Sequence, residues 1–158
     1  MRKISVTSRA VLLTTAFMLV AGIGNLAYGE RPNNRNDNVL TVRVLVDFSS
    51  FDIVESPGGG GPFHVGGMVV DAESGEDLGD FQCWGWFFAG GTRDMVNQEY
   101  NIGDRGKIIL AGEETPVVSR AIVGGTGDFK NARGEATFEP QGGGVFLVSF
   151  HLIGAAAD

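Results

Sequence analysis

From Val39 to Ile153 apolar side chains recur at every second position, in runs separated by glycine-rich turns. No stretch carries them at the three-to-four spacing of an amphipathic helix. A chain patterned this way buries its apolar atoms as a β-sheet. The first run, Val39 to Phe48, sets Leu40, Val42, Val44, Val46 and Phe48 against Val39, Thr41, Arg43, Leu45 and Asp47. Phe63 to Asp71, Leu78 to Phe88, Met95 to Ile102 and Lys107 to Ala111 follow as strands two to five. Pro116 marks the start of strand six, a hairpin around Gly124 supplies strands six and seven, and Val145 to Ile153 is the eighth. Closing eight such strands into an antiparallel up-and-down barrel, calycin-like in form, removes the edges of an open sheet. A barrel of that size encloses one small ligand.

Strand three constrains what surrounds the sheet. Gln82, Trp84, Trp86 and Phe88 share one face, and Phe81, Cys83, Gly85 and Phe87 share the other. Both faces are apolar, so both are expected to be buried. A ligand-lined interior together with an outer oligomer contact satisfies that. Trp84, Trp86 and Phe88 are the candidate ligand-pocket residues.

The hairpin from Ala121 to Phe138, AIVGGTGDFKNARGEATF, is strand, glycine turn, strand. Gly124, Gly125 and Gly127 supply turn positions where the backbone can pass close to a neighbour. Beyond the turn, Ala132, Gly134, Ala136 and Phe138 fall on one face and Asn131, Arg133, Glu135 and Thr137 on the other. Small residues on one face imply a tightly curved sheet. The rival reading is a dinucleotide phosphate loop, in which glycines open a helix. It fails on spacing, because Lys130 stands where the third glycine belongs and no amphipathic helix follows.

Ile122 to Gly127, Phe129, Ala132 to Gly134 and Ala136 together resemble the signature of the dirigent and allene oxide cyclase-like barrel family. The likeness extends diffusely from about Val39 through the last strand. The resemblance implies an eight-stranded barrel, homotrimeric, with a hydrophobic interior pocket. It also implies a pocket acid at Asp47, a further acid at Asp128 and a positioning cation at Arg133. The chain departs from the plant pattern in lacking a cysteine pair and in having Val46-Asp47 in place of a His-Asp dipeptide.

Met1-Arg2-Lys3 and Arg9 precede an apolar run from Ala10 to Gly24, and Ala27-Tyr28-Gly29 offers small residues before Glu30. This is the pattern of a secretory signal peptide over residues 1–29. An uncleaved anchor is the alternative, since the uncharged run approaches spanning length. Residues 30–38 read as a polar, disordered leader, and residues 39–158 as a single barrel domain. The expected compartment is extracellular or periplasmic.

The formal charge is −7, and removing residues 1–29, with three basic residues and no acidic one, takes it to −10. That balance argues against a nucleic-acid partner and against anionic lipid surfaces after cleavage. Cys83 is the one cysteine, so no internal disulfide can form, and its aromatic neighbours point to a buried, inert thiol.

No compact catalytic constellation stands out. His64 and His151 lie on different strands without metal-ligand spacing, so no metal and no cofactor is expected. Asp47, Asp128 and Arg133 are the candidate catalytic residues. A carboxyl in an apolar pocket rises in pKa, and a nearby arginine opposes that rise and can hold a ligand oxygen. Each has an ordinary alternative: Asp47 at a solvated strand end, Asp128 capping the glycine turn, Arg133 paired with Glu135. Two functions follow from this pattern. One is a barrel that binds a small hydrophobic molecule and steers its cyclisation, coupling or isomerisation. The other is a non-catalytic ligand-binding or structural barrel.

Overall fold

The computed structural model describes residues 38–57, 59–89, 93–114 and 119–153. The signal segment, the leader up to residue 37 and Pro116 lie outside the described residues. Eight strands appear in chain order: β1 (Asn38–Ile53), β2 (Gly61–Asp71), β3 (Asp77–Phe87), β4 (Asp94–Asn101), β5 (Lys107–Gly112), β6 (Ser119–Gly125), β7 (Arg133–Gly142) and β8 (Val145–Ile153). Each pairs antiparallel with the next, and β8 returns to β1, so the sheet is a closed eight-stranded antiparallel barrel. No helix among the described residues is long and apolar enough to cross a membrane.

Two strands run further than their patterning predicts. β1 continues past Phe48 to Ile53 through a register shift between Asp47 and Asp52. The polar side chains there hold the irregularity: Asp47 Oδ1 accepts from the Ser49 amide and hydroxyl at 2.9 and 2.6 Å. Ser50 Oγ donates to the Asp47 carbonyl at 2.7 Å and accepts from the Gly66 amide on β2 at 2.8 Å. β7 runs through Pro140, whose missing N–H is absorbed by a register shift between Pro140 and Gly142.

The core fills the barrel with one face of every strand. Val42 and Val44 of β1, Phe63, Val65 and Val69 of β2, and Phe81 and Cys83 of β3 all point in. Ile108 and Leu110 of β5, Ile122 of β6, Ala136 of β7 and Val148, Phe150 and Leu152 of β8 complete the wall. The small face of the hairpin, Ala132 and Ala136, is fully buried. Alanine there lets β7 approach the centre, where Tyr100 packs edge-on against Phe150 at 5.0 Å and tilted against Phe81 at 5.1 Å.

The glycine turn closes one end. Gly125 lies so close to the Lys107 and Phe129 carbonyls that a Cβ would sit 2.5 Å from each oxygen. Gly127 takes φ +60° and opens a short 3-10 turn, Gly127–Phe129, that plugs the end with buried Phe129.

Candidate functional site

The interior carries a polar cluster on the inward faces of β3, β4 and β6. Arg120 shares its face of β6 with the core residue Ile122, two positions on, so strand alternation directs it inward. It is 4% exposed. Gly112 of β5, at φ +151°, lies beside its stem, where a Cβ would meet Arg120 Cγ at an ordinary contact distance of 3.9 Å. The guanidinium carbon lies 4.1 Å from the centre of the Phe138 ring, a cation–π contact across to β7.

From that position Arg120 reaches β4 and the β5–β6 connection. Its Nη1 donates to Gln98 Oε1 at 3.3 Å, and its Nη2 donates to Glu114 Oε1 at 3.0 Å. Tyr100 Oη also donates to Gln98 Oε1, at 2.9 Å. The Gln98 amide nitrogen donates to Glu114 Oε1 at 3.2 Å and makes a long contact to Cys83 Sγ at 3.9 Å. Gln98 is thus the hub of the cluster. Glu114 is itself placed by its backbone, whose N–H donates to Asp94 Oδ1 at 3.0 Å. One guanidinium nitrogen, Arg120 Nε, is buried with no partner. Buried donors are ordinarily paired, so this one stands as an unsatisfied donor in the packed interior.

The electrostatics of the cluster follow from burial. Desolvation pushes the Glu114 carboxyl above its ordinary value; Arg120 opposes the rise and Asp94 adds to it. Burial pushes the Cys83 thiol far up, with the Glu114 charge adding to the effect, so the thiolate is strongly disfavoured. The Tyr100 phenol also rises through burial, against the pull of Arg120. Cys83 and Tyr100 therefore stay protonated at neutral pH, and Glu114 holds a proton more tightly than a solvated glutamate does.

A separate aromatic stack joins β1, β2 and β3. Phe63 stacks on Phe87 at 4.3 Å and on Phe51 at 6.0 Å. The stack is not adjacent to the arginine: Phe63 faces Gly85, Gly85 faces Val96, and Val96 faces Gly112, so Phe63 of β2 lies four strands from Arg120 of β6. Two of the positions between the stack and Arg120 are therefore glycines. Beneath the cluster the layer of Phe81, Tyr100 and Phe150 forms an apolar floor.

The residues expected to carry chemistry are elsewhere, and apart. Asp47 points outward at the kink of β1, where its hydrogen bonds from Ser49 hold its carboxyl below the usual value. There it lines an open outer groove with Ser50, His64, Met68 and Gln82. Asp128 sits in the closing turn, paired with Arg105 at 3.4 Å and half exposed. Arg133 is exposed at the start of β7 and donates from Nη1 to the Ala132 carbonyl at 2.7 Å. Trp84, Trp86 and Phe88 do not line the interior. They are 41%, 48% and 45% exposed, because the concave face of β3 belongs to Phe81, Cys83, Gly85 and Phe87. Gly124 and Gly125, expected in the turn, instead end β6 opposite Ile109 and Ile108 of β5, and Gly127 alone lies in the closing turn; Gly125 is the tightest of the three in contact with backbone oxygens.

Arg120, Gln98, Tyr100 and Glu114 were not singled out by the sequence. The signal for Arg120 was its period-two partnership with Ile122. Glu114 lies beyond the end of a strand, where alternation gives no direction. Among the described residues no group of three His, Cys, Asp or Glu side chains is placed to hold a metal ion.

No family model matches the chain, and no curated protein matches it. Among solved structures the chain is similar to pyocyanin demethylase. The TM-score is 0.60 at 17% identity, and the match covers 73% of this chain and 99% of that one. At that identity the likeness is one of fold.

Proposed function

We propose that this chain is an exported barrel that binds a small hydrophobic molecule in its interior. There it steers a cyclisation, coupling or isomerisation of that molecule without a cofactor. The observation that carries the reading is the buried Arg120, held against the Phe138 ring with its Nε unpartnered and the raised carboxyl of Glu114 beside it. A polar cluster of this composition costs stability in a barrel that only needs to be filled. Glu114 would give or take a proton as charge develops on the bound substrate. The motif from Ile122 to Ala136, which resembles the dirigent and allene oxide cyclase-like family, supports the same class of chemistry. The name of the structural neighbour is that of an enzyme, which supports catalysis in such a barrel without pointing to this reaction class.

The test is extraction of the purified barrel under native mass spectrometry, followed by incubation of the released molecule with fresh protein. Chemical conversion that Glu114→Gln abolishes supports the reading. Reversible binding without conversion reduces it to a carrier. A homotrimer belongs to the same proposal, with the outward Trp84, Trp86 and Met95 of neighbouring β3 and β4 as contact surface. A monomeric mass in sedimentation would remove it.

A further inference from the structure

We infer that a groove on the outer wall of the barrel, between Asp47 of β1 and Gln82 of β3, binds a small organic ammonium with an apolar body. The groove is on the convex side of the wall, so it stands or falls apart from the interior reading.

A row of outward positions with no side chain in its middle makes the groove. Asp47 faces Gly66, and Gly66 faces Gln82, across three adjacent strands. With strands about 4.8 Å apart, the carboxylate and the amide rise from backbone about 10 Å apart over bare glycine. β1 turns aside just beyond, where Phe48 to Phe51 stand against Val65 alone, and the space left is about 550 Å³. That is the size of a small-molecule site. Its sides are unlike. Leu45 and Met68, directly opposed and 37% and 47% exposed, make one side apolar. On the other, His64 is held by a chain of side chains. His64 Nε2 lies 2.7 Å from Gln82 Oε1, Gln82 Nε2 donates to Asp80 Oδ2 at 3.4 Å, and Asn101 Nδ2 donates to Asp80 Oδ1 at 3.0 Å. A carboxylate only accepts, so the Gln82 nitrogen faces Asp80, its oxygen faces His64, and His64 Nε2 carries the proton. That leaves Nδ1 as the acceptor of a neutral ring. Asp47 Oδ1 is taken by Ser49, which also keeps the carboxyl ionised, and Oδ2 has no partner among the described residues. No lysine or arginine lines the groove. A negative charge and two open acceptors beside an apolar surface suit a ligand that brings a cation, N–H donors and an apolar body.

The experiment titrates the isotope-labelled barrel, followed by its backbone amide signals in NMR, with 2-phenylethylammonium, 3-phenylpropionate, 2-phenylethanol and methylammonium. 2-Phenylethylammonium should shift the amides of Gly66, Gly67 and Met68 saturably and bind more tightly than the others. Asp47→Asn keeps an oxygen for the two Ser49 contacts; it should weaken the amine about fivefold, as for one exposed charge contact, and leave 2-phenylethanol unchanged. Gly66→Ala should weaken the amine with every charge in place. Its Cβ would meet Gln82 Oε1 at 3.4 Å, so the strand accommodates it and the methyl covers the floor. Equal affinity for 2-phenylethanol overturns the inference for want of charge recognition, and equal affinity for methylammonium overturns it in favour of a loose counter-ion. Tighter 3-phenylpropionate, or an amine affinity that neither variant changes, overturns it as well. No saturable shift with any probe removes the groove as a site and leaves the interior reading untouched.

Discussion

Arg120 and Glu114 meet at 3.0 Å with unequal burial: the arginine side chain is 2% exposed, the glutamate 25%. The cation is therefore the dependent partner, since it has little water to fall back on, while the carboxylate can be solvated.

That asymmetry orders two substitutions. Arg120→Met removes the partner of Glu114, one donor to Gln98 and the contact on Phe138. It should cost about 2–4 kcal/mol, toward the range seen when a buried pair loses one member. Glu114→Gln keeps an acceptor oxygen for Nη2 and should cost about 1 kcal/mol or less, since part of the pair is screened by water. Urea unfolding midpoints of the two variants against the parent check the order. Equal losses would show the pair to be no more than a surface ion pair.

Glu114 also gives the barrel a pH dependence of predictable sign. Its folded carboxyl lies above the ordinary value of 4.5. The folded state therefore binds the proton more tightly than the unfolded one does. Its contribution is fully present below about pH 4.5 and is lost as pH rises through the folded value. Asp71 runs the other way. Ser74 holds its carboxyl below 3.8, so its contribution is present above that value and fades as pH falls. Unfolding midpoints between pH 4 and 8 should decline less for Glu114→Gln than for the parent. Asp71→Asn should lower the midpoint throughout the range above about pH 4 and flatten the fall on the acid side.

Cys83 is expected to be silent toward thiol reagents in the native state, being 1% exposed with its ionisation suppressed by burial. Dithionitrobenzoate should react at the rate of global opening, and immediately in denaturant. A fast native reaction would mean that β3 opens locally.

The end of β6 distinguishes two adjacent glycines. A Cβ at Gly125 would press into two backbone oxygens, so Gly125→Ala should cost more than about 3 kcal/mol or prevent folding. At Gly124 the nearest atom is the flexible end of Arg133 at 3.8 Å, so Gly124→Ala should be close to neutral. Thermal melts of the pair, with soluble yield, decide it.

The fold was legible because period-two patterning and glycine turns constrain a sheet whatever its surroundings. The inward face of the hairpin, Ala132 to Phe138, could be read directly, since small residues suit a tightly curved wall. The site was less legible. On β3 both faces are apolar, and alternation separates two faces without saying which is concave. Residue size does say so: Cys83 and Gly85 fit inside a narrow barrel where Trp84 and Trp86 do not. Asp47 looked like a pocket acid by analogy. Yet Ser49 and Ser50 beside it were the local signal of a side chain engaged with its own backbone. Gln98 becomes meaningful only once β3, β4 and β6 are assembled, because its partners Cys83 and Arg120 lie 15 and 22 residues away.

The seam between β1 and β8 imposes an order on synthesis. Thr41 and Ser149, 108 residues apart, face each other across it with hydroxyls at 3.2 Å. A growing chain carries β1 for most of its translation with one side unpaired, and the barrel shuts only when the final strand has emerged. Loss of β8 alone would leave two strands, β1 and β7, open to pairing with other chains. A truncation near Gly144 should therefore yield intermolecular aggregates rather than a smaller soluble domain.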